Sequence, residues 1–332
     1  MRRRSHLLAL ALALPVALAL AACGPNGSGD DDDDLPPIDA GGGIDAPDVT
    51  SEACRKMDLI FIIDDSGSMS QEQGNLATNF PMFANVLNTY VTTTGEELDY
   101  RAAITTTGIT ATITTQIPTT PPFPPFPPIT TPQSGDDGEF RQSCGMTRRW
   151  LERTDPNMPS TFACAADVGT SGPGIEMQLR AAQLAAMPAT NPGFLRDDAL
   201  LGIVILTDED DCSHTATTFT TTGDACDGDP NLQMPAEVIA SLDQIKGDRG
   251  RWAAAVIAGQ TNCESSFGTA VEGERLKQFA QQAGANVVFG DICGGDLAPV
   301  LAQALDTFQA ACDNFPPVGK PTRASSTAFA QE

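Results

Sequence analysis

An α/β fold is predicted for this chain: a doubly wound, mostly parallel central sheet with helices on both faces and one antiparallel edge strand. Two features carry the prediction. Four strand-length segments, "MDLIFIID" (57–64), "LLGIVILTD" (200–208), "WAAAVIAG" (252–259) and "ANVVFGD" (285–291), are nearly continuous apolar runs, as expected of strands covered on both faces. The stretches between them place apolar residues at helical spacing, and strands alternating with helices imply a parallel sheet between two helical layers. Nothing in the 332 residues repeats at a solenoid period, so one large domain, residues 52–315, is expected.

In chain order, the first apolar run is followed by a helical stripe at Phe80, Phe83, Ala84 and Leu87. "LDYRAAITTTG" (98–108) reads as a further strand beside an antiparallel edge partner. The Pro-rich insertion near 116–132, within "TTQIPTTPPFPPFPPITTP", favours polyproline II, which turns once per three residues and points Phe123 and Phe126 the same way. Both rings are expected to pack on their own domain, since bare aromatics on a surface are a liability. Further helical stripes follow at Ile175, Leu179, Ala182 and Ala186; at Val238, Leu242 and Ile245; at Leu276, Phe279 and Ala283; and at Leu297, Leu301 and Leu305. Residues 316–332 have the composition of a disordered tail.

The ends of the chain point to export. Arg2, Arg3 and Arg4 precede an apolar stretch, Leu7 to Ala22, too short for a comfortable membrane span but right for a signal peptide. Its end, Leu20-Ala21-Ala22-Cys23, resembles the lipobox of bacterial lipoproteins. That resemblance implies that residues 1–23 are a lipoprotein signal, that Cys23 is lipidated, and that the protein is held in a bacterial envelope, at the outer membrane given Gly24. Residues 24–51, rich in Gly, Pro and Asp, read as a disordered tether spanning roughly 30 Å, with Asp30 to Asp34 a solvated charge run. Eight cysteines remain, an even number that reads as disulfides outside the cytoplasm. Pairing of sequence neighbours is expected: Cys144 with Cys164, Cys212 with Cys226, Cys263 with Cys293, and Cys54 with Cys312 across the domain ends.

A formal charge of −24, from 19 Lys+Arg against 43 Asp+Glu, argues against nucleic acid and favours cations or basic partners. The first strand, "FIIDDSGSM", runs straight into acids and hydroxyls, and in a sheet of this kind function gathers at the carboxyl ends of the strands. Asp64-x-Ser66-x-Ser68 offers a carboxylate and two hydroxyls on one tight turn, with Gly67 expected to ease the bend. Such hard oxygen ligands suit one Mg²⁺ or Mn²⁺, with Ca²⁺ the alternative.

This stretch resembles the von Willebrand factor type A domain, whose metal-ion-dependent adhesion site begins with Asp-x-Ser-x-Ser after the first strand. The family expects a threonine from a later loop and an aspartate after the fourth strand, for which "DVGTSGPG" offers Thr170 and "IVILTDED" offers Asp208. Thr161 and Ser171 are neighbouring hydroxyls that could fill the threonine's place. The resemblance implies a Rossmann-like fold over residues 54–312. Ser66, Ser68 and Thr170 would be direct metal ligands, and Asp64 and Asp208 would act through water. In "TDEDDCSH", Glu209, Asp210 and Asp211 read as a solvated loop pinned by Cys212 rather than a second cation site, and His214 as an ordinary loop residue.

No G-x-S-x-G elbow, G-x-G-x-x-G turn or complete phosphate loop is present, so an enzyme is not expected. The family resemblance implies instead an adhesion module whose bound cation takes an Asp or Glu carboxylate from a protein partner. A scaffold for envelope assembly with a non-functional metal site, or a metal-dependent hydrolase, are the alternatives.

Overall fold

The computed structural model describes residues 55–90, 95–117, 119, 124, 126–222, 229–295 and 297–316. Cys23, Cys54, Cys226, Phe123, the signal peptide, the tether and most of the tail lie outside them. The expected sheet is present. Six strands, β1 (Lys56–Ile63), β2 (Asp99–Thr106), β5 (Leu151–Glu152), β6 (Leu200–Leu206), β8 (Trp252–Ala258) and β11 (Val287–Asp291), are ordered β11-β8-β6-β1-β2-β5. All neighbours pair in parallel except β5, the antiparallel edge partner of β2.

Strand β1 explains the two-layered core. Its odd residues, Met57, Leu59, Phe61 and Ile63, face α1 (Glu72–Thr89), α2 (Met158–Ala166) and α6 (Ala298–Asp313). Its even residues Ile60 and Ile62 face α3 (Gln178–Ala185), α4 (Pro235–Lys246) and α5 (Glu274–Ala283). Because strand side chains alternate between faces, a strand buried on both must be apolar throughout, which is why these runs stood out. Phe61 meets Phe80, Phe83 and Phe162 edge-on at 4.8–6.5 Å between ring centroids, the preferred aromatic geometry.

Three features differ from expectation. Strands β3 (Ala111–Gln116), β4 (Ile129–Gln133) and β7 (Thr218–Thr222) form a separate sheet, β4-β3-β7, so β3 and β4 flank the Pro-rich insertion as an antiparallel pair. Phe126, on that insertion, is 60% exposed and does not pack on its own domain, because β4 beside it is itself almost entirely exposed. A second hairpin, β9 (Cys263–Ser265) with β10 (Gly268–Ala270), follows β8. Cys144 is bonded to Cys164 and Cys263 to Cys293. Cys212 and Cys312 are also disulfide-bonded, and the partners expected for them, Cys226 and Cys54, lie outside the described residues.

Candidate metal centre

The strand order turns at β1. The chain leaves β1 for β2 on one side and later returns to β6 on the other, which opens a crevice at the carboxyl ends of β1 and β6. Asp64 prolongs the β1 ladder, its amide donating to Leu206 O at 2.9 Å. Asp64 and Thr207 therefore leave adjacent strands side by side, and Thr207 Oγ1 donates to Asp64 Oδ2 at 2.6 Å. The other carboxylate oxygen, Oδ1, accepts from the Ser66 amide at 2.8 Å, which curls the chain into an Asx turn. Gln73 Nε2 on α1 donates to Asp64 O at 3.0 Å, and Gln178 Nε2 on α3 donates to Thr207 Oγ1 at 2.9 Å.

That turn brings two hydroxyls and the second aspartate together. Ser66 Oγ lies 2.8 Å from Ser68 Oγ, and Ser68 Oγ donates to Asp208 Oδ1 at 3.2 Å. Glu209 Oε1 is 3.4 Å from the same Ser68 hydroxyl. Gly67 has an ordinary φ of −65°, and a Cβ added there would meet no atom within 4 Å, so the turn does not need its glycine for the bend. The second loop is placed by Gly172, whose amide donates to Asp65 O at 2.6 Å. A Cβ there would stand 2.1 Å from Asp65 Oδ1, so glycine is what permits the close approach. Thr170, two residues earlier, is half-buried and its hydroxyl makes no hydrogen bond among the described residues. Thr161 lies within α2.

The acids around the crevice have no compensating base. Asp64 and Asp208 are buried, as are Glu72 at the start of α1 and Glu176 just before α3. None of them is paired with Lys or Arg among the described residues. Both Glu72 carboxylate oxygens and Glu176 Oε1 lack a hydrogen-bond partner. Burial pushes Asp208 up to about 8, with the Asp64, Glu72 and Glu209 charges adding to the rise. Asp64 is raised to about 6 by burial, against the bonds from Thr207 and Ser66. Glu176 is raised to about 11 by burial and by Glu209 and Asp64. Buried carboxylates without basic partners are unfavourable unless protonated or neutralised by a cation, so the donor set fits a hard divalent ion. A cleft of about 280 Å³, lined by Ser68, Gln71, Asp208, Glu209, Thr269 and Val271, leads from these oxygens to solvent.

Sequence reasoning missed Glu72 and Glu176. Each stands near a helix start, where an acid is commonplace; only tertiary burial distinguishes them. The acidic loop also differs from expectation. Asp211 is buried, accepting from the Leu179 amide at 2.9 Å and from Arg275 Nη2 at 3.1 Å. Asp210 accepts from the Arg275 amide at 3.0 Å, at the start of α5. These acids tie α3 and α5 to the end of β6 instead of standing in solvent. His214, expected in an ordinary loop, is buried and stacked on Phe219 at 3.7 Å, because the loop folds under the β4-β3-β7 sheet. Cys263, Asp291 and Cys293 offer ligand atoms within 4.8 Å of one another, but both sulfurs are already joined to each other.

No protein-family model and no curated protein match the chain. Among solved structures, it is similar to proximal thread matrix protein 1 from the mussel byssus with a zinc-occupied MIDAS motif, at 14% identity and a TM-score of 0.40, over 79% of this chain and 47% of that one. It is similar to the pilus adhesin SpaC from Lactobacillus rhamnosus GG at 12% identity and a TM-score of 0.41, over 76% and 31% of the two chains. It is also similar to manganese-loaded Plasmodium vivax TRAP protein at 12% identity and a TM-score of 0.34, over 75% and 74%. The chain spans about half the length of the mussel protein. The von Willebrand factor type A resemblance rests on the Asp-x-Ser-x-Ser turn that leaves β1 and the aspartate that follows β6.

Proposed function

We propose that this is an exported binding protein, anchored in a bacterial envelope through a lipid on Cys23, whose crevice holds one divalent cation and through it a partner's carboxylate. The observation that carries the reading is the hydrogen-bonded cluster of Asp64, Ser66, Ser68 and Asp208, the last two lining one cleft, among buried acids that no Lys or Arg neutralises among the described residues. Ser66, Ser68 and Thr170 would hold the ion directly, and Asp64 and Asp208 through water. The ion supplies a Lewis-acidic position that accepts an anionic oxygen. The chain's own residues orient that position: Thr207 and Ser66 fix the Asp64 carboxylate, and Ser68 fixes Asp208. A ring of acids would repel a free carboxylate, so the cation is what makes an Asp or Glu on a protein partner the favoured ligand. Mg²⁺ or Mn²⁺ suits the hydroxyl-rich set, with Ca²⁺ the alternative.

Calorimetric titration of the mature chain with Mg²⁺ and Mn²⁺ tests the reading. Binding is expected for the wild type and should be lost in Ser66→Ala with Ser68→Ala. Equal heats from the two proteins would overturn it.

A further inference from the structure

Asp65 lies between two of the site residues, and one oxygen of its carboxylate meets Arg141, which follows the insertion. The guanidinium makes three separate bonds. Nη2 donates to Asp65 Oδ2 at 2.9 Å, on the loop that carries Ser66 and Ser68. Nη1 donates to Val168 O at 2.9 Å, two residues before Thr170. Nε donates to Asp136 Oδ2 at 2.6 Å, and that oxygen also accepts from Thr106 Oγ1, at the end of β2, at 3.0 Å. The backbone of Arg141 is itself fixed, its amide donating to Ile104 O on β2 at 2.8 Å.

We propose that Arg141 is a positioning residue for the metal centre, clamping the Thr170 loop against the Asp64–Ser68 loop. The role rests on the metal-binding reading above. Without the clamp, the described residues show one other direct bond between the two loops, from the Gly172 amide to Asp65 O. A planar fork of five donors can span an acid on one loop, a carbonyl on another and an acid on a third, whereas an ammonium is a single compact donor centre. The arrangement gives the acid that follows Asp64 a part in joining the two loops. It also gives the residues after the insertion a task at the site.

The expected effect is the one usual for groups that orient metal ligands without touching the metal, a 10- to 100-fold loss of affinity. Removing Arg141 alone would also remove a positive charge near a cation site, which works in the opposite direction. The test therefore uses the charge-neutral pair Asp65→Asn with Arg141→Met in the mature chain, and Arg141→Lys, which keeps the charge but loses the fork. Mn²⁺ titration should show affinity about tenfold or more weaker for the pair and an intermediate loss for Arg141→Lys. In metal-free protein, hydrogen exchange at the amides of 168–172 should speed up in both variants while that of β8 stays unchanged. If the pair fails to fold, Arg141→Lys carries both measurements. Mn²⁺ affinity within twofold of wild type, with unchanged exchange at 168–172, would overturn the role. A wild type that takes up no Mn²⁺ overturns the metal reading itself, a result distinguishable from wild type and variants binding alike.

Discussion

Asp58, within β1, and Asp64, just after it, stand six residues apart and differ in whether a base meets them. Asp58 is buried at the entry end of β1 and is held by Arg196, with Nε donating at 2.8 Å and the amide at 2.6 Å. Burial raises its pKa, and Arg196 works against the rise. Removing one partner of such a pair strands the other, so Asp58→Ala is expected to destabilise the fold by about 3 kcal/mol. That is the low end of the usual cost, because Arg196 keeps Asp99 at 2.8 Å. Urea denaturation checks this, and a loss under about 1 kcal/mol would show the pair to be idle. Asp64 has no such base among the described residues, and that contrast is what would separate a structural acid from an acid of the proposed metal site. The sequence could not separate them, since both are aspartates in or beside one apolar run. What marked Asp64 was Ser66 and Ser68 at fixed spacing, a local signal; Glu72 and Glu176 had no comparable local signal.

At the scale of elements, the β9–β10 hairpin lies over the crevice. Val271, just after it, donates its amide to Asp208 O at 2.9 Å, and a Cβ on Gly268 would meet Glu72 Oε1 at 1.5 Å. The Cys263–Cys293 bridge fastens this hairpin to the end of β11 across a sequence separation of 30. In the chain-entropy model a loop of that size contributes about 3 to 4 kcal/mol. Replacing both cysteines by serine is therefore expected to lower stability by about that much. Mn²⁺ binding should weaken as well, because the hairpin leads directly into Val271, which bonds Asp208. Calorimetric melting and Mn²⁺ titration of one preparation check both effects, and unchanged metal affinity would detach the hairpin from the site. The fully covered strands were legible because burial on two faces forces unbroken apolar runs. The hairpin and the β4-β3-β7 sheet were not, and of β5 only the presence of an antiparallel edge partner was expected, not its residues. They are short, threonine-rich or half-exposed, and only long-range pairing defines them.

Across the whole molecule, a net charge of −24 draws cations toward the protein and makes their binding sensitive to salt. It also sets a pH dependence. Without metal, Asp64 and Asp208 titrate at about 6 and about 8 when folded, against a reference near 3.8. Between these values the folded state holds more protons than the unfolded one. The stability these groups contribute is complete below the reference value and is lost as pH rises through 6 and then 8. The melting temperature of metal-free protein is thus expected to fall from pH 5 to pH 8. On the proposed metal binding, excess Mg²⁺ would take the place of the missing protons, so it should flatten that fall and raise the melting temperature more at pH 8 than at pH 5. Parallel pH profiles with EDTA and with Mg²⁺ would contradict this.

By itself the sequence determined the central sheet, its two helical layers and the Asp-x-Ser-x-Ser turn, because each is written in residues close together along the chain. The tertiary structure alone decided which acids are buried beside that turn and that the acidic loop after β6 braces α3 and α5. It also decided that Asp65 faces a guanidinium 76 residues away. Those outcomes depend on which strands are neighbours. Neighbourhood in a parallel sheet is fixed by crossovers that bring distant segments to one edge, and no local pattern encodes it.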